Sequence, residues 1–200
     1  MIGRFALSIK EDLGYLWSIR IFIFISVFIF ALTTALGCKV AIIDPELASQ
    51  WTRELEMLRW IMEQPPVIIM LIIFAKNLFT SAMAMLLGLG LGIIPFVVVS
   101  SNGLILGIVG YEAVQKAGIS FLLAGILPHG IIELPVVLVS IAIGFRLGHS
   151  LALTLAQKEV NLSDEIRTAF HFLVRWVAPL LFLAAAIETF ITPFVISVVT

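Results

Sequence analysis

Five stretches of this chain stay apolar for long enough to cross a bilayer: Ile21 to Ile43, Pro66 to Leu87, Gly92 to Gln115, Ile119 to Arg146 and Val177 to Val198. A helix rises 1.5 Å per residue, so about 20 apolar residues span the hydrocarbon layer. Every backbone amide must be satisfied internally there, which restricts the fold to helices or a closed barrel. Runs of this length without period-two alternation select helices. The rest of the composition agrees, because only 12% of residues are charged and 61% are apolar, whereas a soluble domain has about a quarter charged. The expected fold is all-α: one integral membrane domain over residues 1–200, a polytopic bundle of about five spans with an outer amphipathic helix. If Pro128 breaks the fourth run, Ile119 to Leu127 becomes a re-entrant half-helix and six helices result.

Lys and Arg collect on the cytoplasmic side of membranes. Arg4, Lys10 and Arg20 therefore place the N-terminus inside, together with the loop bearing Arg146, Lys158, Arg167 and Arg175. An odd number of spans then puts Thr200 outside. The segment 44–64, rich in Asp and Glu, is outside on this topology. Asp44 caps a helix there with Pro45 at its first position, and Leu47, Trp51, Leu55, Leu58 and Met62 form one stripe. The stripe lies in the lipid interface or covers the outer end of the bundle. At the inner side Arg167, His171 and Arg175 share a helix face, which anchors the last span or meets anionic lipid. A net charge of −1 gives no reason to expect nucleic acid. Membrane lipids, further copies of the chain or other membrane proteins are the expected partners. Cys38 is the only cysteine, and Ile21 to Ile43 is too long for a signal peptide, so a retained first span is expected.

Small residues recur four apart, at Gly88/Gly92, Gly103/Gly107 and Gly144/Gly148. In lipid this spacing lets helix backbones approach closely.

Polar residues within the runs carry the chemical information. Lys76 and Asn77 lie at the centre of the second run, Asn102 in the third, His129 and Glu133 in the fourth and Glu188 in the fifth. A charge at mid-bilayer costs about 2.5–3.5 kcal/mol on insertion scales, so each must find a partner. His129 and Glu133, four apart, share a helix face suited to holding one cation or sharing one proton. As a metal site, two ligands are incomplete. Pro128, Gly130 and the Asn102-Gly103 pair loosen the backbone beside them, as in transporters whose ligand sites use broken helices. The bland alternative is that Asn77, Asn102, His129 and Glu133 merely tie the bundle together.

The arrangement resembles the stage II sporulation protein M family, also catalogued as a domain of unknown function. The resemblance covers 74–148: Asn77; the Gly-rich Leu87-Gly88-Leu89-Gly90-Leu91-Gly92 with Pro95; Ser101-Asn102-Gly103 and Gly107; Pro128-His129-Gly130-Ile131-Ile132-Glu133-Leu134-Pro135; and Gly144-Phe145-Arg146-Leu147-Gly148. It implies a membrane subunit of a wall-remodelling assembly in which other subunits cut peptidoglycan. Lys76 and Glu188 lie outside its motifs. Two functions are in contention. In the first, Asn77, Asn102, His129 and Glu133 bind, or bind and pass across, a cation, proton or small solute, with Lys76 and Glu188 as further polar groups. In the second, the bundle is a non-enzymatic scaffold. An intramembrane metal-dependent hydrolase is a third reading, and a bound cation is the only cofactor considered.

Overall fold

The computed structural model describes residues 2–56, 60–61 and 63–199, with side chains described throughout except at 2–8, 51–56 and 199. Regular structure among the described residues is helical: α1 Ile2–Ser18, α2 Arg20–Ile43, α3 Pro45–Glu56, α4 Pro66–Leu86, α5 Ile93–Leu155, α6 Leu162–Phe172, α7 Ala178–Phe190 and α8 Thr192–Val199. A wider turn over Leu173–Val177 joins α6 to α7 without a loop. Four stretches are long and apolar enough to cross a membrane: Arg20–Ile43, Pro66–Leu89, Ile93–Leu155 and Leu162–Val198.

The third of these is 63 residues long and is two helices in effect, because Gly118 has φ 86° and ψ 168°. That combination of angles is open essentially to glycine alone. The two limbs fold back on each other, bringing Pro95 against Gly144, Gly92 against Phe145 and Gly110 against Leu122. The break thus falls at Gly118, in the polar Gln115-Lys116-Ala117-Gly118 stretch. The helix runs on through Pro128 and Pro135 with no other non-helical residue. Residues 119–127 therefore continue into the second limb and form no separate half-helix. Each proline still deletes one backbone donor, which loosens the helix without ending it.

Backbone approach through small residues builds the bundle. On α2, Thr34, Gly37 and Cys38 meet Gly107, while Thr33 and the Phe30 carbonyl meet Gly103. A Cβ on Gly88 would strike the Gly144 backbone, and one on Gly148 would come within 2.6 Å of the Gly88 carbonyl oxygen and the Gly92 nitrogen. Packing at this distance is what replaces the hydrophobic effect between helices in lipid. Ser26, Thr33, Thr34 and Ser140 return their hydroxyls to carbonyls of their own helices, so these polar residues cost little.

In the segment that follows α2, Asp44 Oδ1 accepts the Leu47 N–H at 2.9 Å, ahead of Pro45 at the first helical position. The face that packs is centred on Ala48, against Ala41, Ile108 and Tyr111, while Leu47 remains exposed. α3 therefore leans on the first limb of α5 through Ala48, with Leu47 turned away from that contact. Towards the end of the expected helix, Trp60 and Ile61 accept backbone bonds from Glu63 and Gln64 in a tight turn. Leu58 and Met62, and the side chains of Trp51 and Leu55, lie outside the described residues.

At the other end, Ile19 between α1 and α2 is fully buried in one cluster with Leu147, Ala169 and Phe172, and α1 packs on that cluster through Tyr15 and Leu16. This helix has no counterpart among the expected elements. Its Asp12 accepts the Trp176 indole N–H at 2.9 Å and pairs with Arg175 at 3.4 Å. Arg146 grips Glu165 through both Nε and Nη2. Burial, with Glu165 nearby, pushes the Tyr15 phenol above its ordinary range and keeps it neutral.

Candidate functional site

The polar residues of α4, α5 and α7 converge. One ligand atom each from His129, Glu133 and Glu188 lies within 4.8 Å of the others, with all three residues half-buried. The pair four apart comes from the second limb of α5 and the third group from α7, which packs against it. These three line a cavity of about 590 Å³ together with Lys76 and Asn102. Its remaining wall is largely apolar, including Phe30, Phe121 and Ile141.

The individual groups differ in how firmly they are held. Asn77 is buried on α4, next in sequence to the cavity-lining Lys76. Glu133 Oε2 is buried without a hydrogen-bond partner. Asn102 gives its amide back to the Val98 carbonyl of its own helix at 2.8 Å, so that bond ties no two helices together. His129 Nδ1 is 3.4 Å from Thr192 Oγ1, and the Thr192 hydroxyl donates to the Ile187 carbonyl at 3.3 Å. With its proton so engaged, Thr192 can accept from Nδ1–H, the tautomer that leaves the Nε2 lone pair free. Neutral imidazole held in this way is the form that ligates cations.

Thr192 has no counterpart among the residues singled out in the sequence. The only hint of it is Ile191-Thr192-Pro193, where the last apolar run is interrupted and α7 gives way to α8. Glu188 carried no motif, yet it too offers a ligand atom within 4.8 Å of those of His129 and Glu133. Gly88, Gly92, Gly103, Gly107, Gly144 and Gly148 surround none of this chemistry and sit at helix contacts.

The family model described as stage II sporulation protein M matches residues 21–193. The chain belongs to the stage II sporulation protein M family. The family match reaches well beyond 74–148, taking in α2, the outer segment and α7 with Glu188. Within this family member, all the polar groups around the cavity thus fall inside the matched region. Comparison with curated proteins found no match, and neither did comparison with solved structures.

Proposed function

We propose that this stage II sporulation protein M family member is a ligand-handling membrane protein that binds a cation, and passes it onward, at His129, Glu133 and Glu188. Asn77 orients Glu133, and Asn102 contributes a polar wall to the cavity. The chain crosses the membrane five times, with the limbs of α5 on either side of Gly118 as two of the crossings. The N-terminus is inside and α3 outside, as the distribution of Lys and Arg requires.

The observation that supports binding over pure scaffolding is that Glu133, whose carboxylate is grouped with two other ligand residues, keeps a buried Oε2 without a hydrogen-bond partner. A dry scaffold would close such groups on one another, because a buried unsatisfied oxygen costs about 1–3 kcal/mol. Here the nearest relief is a cation or a proton.

The test is a thermal-shift series on the purified protein, with parent, Glu133→Gln and His129→Ala titrated against protons, monovalent cations and divalent metals. The parent should be stabilised by at least one cation. Glu133→Gln should fold normally and lose that response. A parent indifferent to every cation, with both variants merely less stable, removes the ligand site and leaves the scaffold.

A further inference from the structure

The charges around the cavity do not balance as they stand. Glu133 and Glu188 supply two carboxylates, and the one lysine on the wall, Lys76, supplies one ammonium. Lys76 comes from the middle of α4, a third helix, and lines the same cavity as both carboxylates. Among the described residues it nevertheless closes no ion pair with either. A long, flexible side chain that shares a cavity wall with two carboxylates and is locked to neither is a movable counter-ion.

The donor set narrows what it gives way to. Mg²⁺ and Ca²⁺ favour all-oxygen shells, whereas an imidazole with carboxylates suits first-row transition metals and zinc. Three protein ligands leave a coordination position open, as a site that exchanges its ion needs. Neutral His129 adds no charge, so a dication exactly cancels two carboxylates only when Lys76 has withdrawn. Retaining the ammonium beside the metal would leave a net positive charge in a low-dielectric cavity, which is costly.

We infer that the site takes a divalent transition metal on His129, Glu133 and Glu188, and that the Lys76 ammonium is the tethered cation this metal displaces. The inference rests on the cation site proposed above and specifies both its ligand and its competitor. Lys76 then acts as a positioning and selectivity residue. It offsets half of the empty site's negative charge and excludes cations too weakly bound to dislodge it.

The experiment measures Zn²⁺ and Mg²⁺ binding by calorimetry on the full-length protein in detergent, for parent, Lys76→Met and Lys76→Arg. Acetylation of Lys76 in the parent is followed by mass spectrometry with and without Zn²⁺. Zn²⁺ should bind the parent and Mg²⁺ should not at the same concentration. Lys76→Met should bind Zn²⁺ at least about tenfold more tightly, the scale on which one nearby unit charge shifts a carboxylate equilibrium. Lys76→Arg should stay near the parent, and Zn²⁺ should raise the acetylation rate of Lys76. Zn²⁺ binding that is no tighter in Lys76→Met, with unchanged acetylation, overturns the displacement while the cation site survives. Binding of Mg²⁺ or Na⁺ in place of Zn²⁺ overturns the metal class in the same way. If Lys76→Met fails to fold, the acetylation arm on the parent decides. Absence of any cation response in the parent defeats the proposed function itself.

Discussion

Replacing Gly144 with alanine should force α4 away from the second limb of α5, and the size of the effect can be worked out. A Cβ there would collide with the Ala84 carbonyl oxygen and would come within 2.8 Å of Pro95 Cγ and 3.0 Å of the Ala84 carbonyl carbon. Two of these atoms are backbone and the third belongs to a rigid ring, so no side-chain rotation relieves the contact. Overpacking of this kind costs about 1–3 kcal/mol. The control is Gly14→Ala in α1, where a Cβ meets nothing within 4 Å. Alanine gains up to about 1 kcal/mol of helix propensity at either position, so the difference between the variants isolates the clash. For a chain of this size each kcal/mol moves Tm by about 2–4 °C. Gly144→Ala should therefore melt about 2–12 °C below Gly14→Ala. The four tryptophans provide the fluorescence signal in detergent. Equal melting of the two variants would show that the helices are not held at backbone distance, and the packing argument would be wrong.

Gly118→Ala should lose about 1–3 kcal/mol although nothing lies within 4 Å of the added methyl, because the cost is the backbone conformation at φ 86°; a thermal melt no lower than the parent's would contradict the strained hairpin. A double-mutant cycle of Arg146→Ala and Glu165→Ala should return a coupling of about 1–3 kcal/mol, the range for charge-assisted bonds in a partly buried pair. Additive effects would mean that the pair is idle. In a Cys38→Ser background, an impermeant thiol reagent applied to intact cells should label Gln50→Cys and spare Glu159→Cys. The reverse pattern would invert the topology.

The apolar runs and the small-residue spacing were legible because both are local, one in hydropathy and the other in a four-residue repeat. The ends of the runs at Ile43, Leu87 and Gln115 fall within a few residues of α2, α4 and the first limb of α5. The choice between Pro128 and Gly118 as the breaking point was not legible. A membrane helix tolerates the loss of one donor at proline, while the φ/ψ demanded at the reversal is visible only in three dimensions. α1 was missed because its charged residues read as anchoring, although Ile19, at the junction with α2, belongs to the main core. Within the site, the separation of His129 and Glu133 reads directly from the helix repeat. The approach of Glu188 depends on how α7 packs against α5, and the partnership of His129 with Thr192 depends on a break between α7 and α8. Neither has a signature along the chain. The alternative in which Asn102 ties helices together also looked reasonable in one dimension, and its bond to Val98 goes the other way.

The cavity takes its charges from three segments that leave the ribosome at different times. Lys76 is made first, His129 and Glu133 some fifty residues later, and Glu188 close to the end of the matched region. A lone charge at the middle of an inserting span costs about 2.5–3.5 kcal/mol. While α7 is still unmade, the nascent bundle holds one carboxylate against one ammonium and is missing a wall. Synthesis order thus makes α7 the keystone of the site: a chain released before it leaves behind a membrane product whose opening to lipid is polar, the kind of fault by which quality control tells an unfinished protein from a finished one.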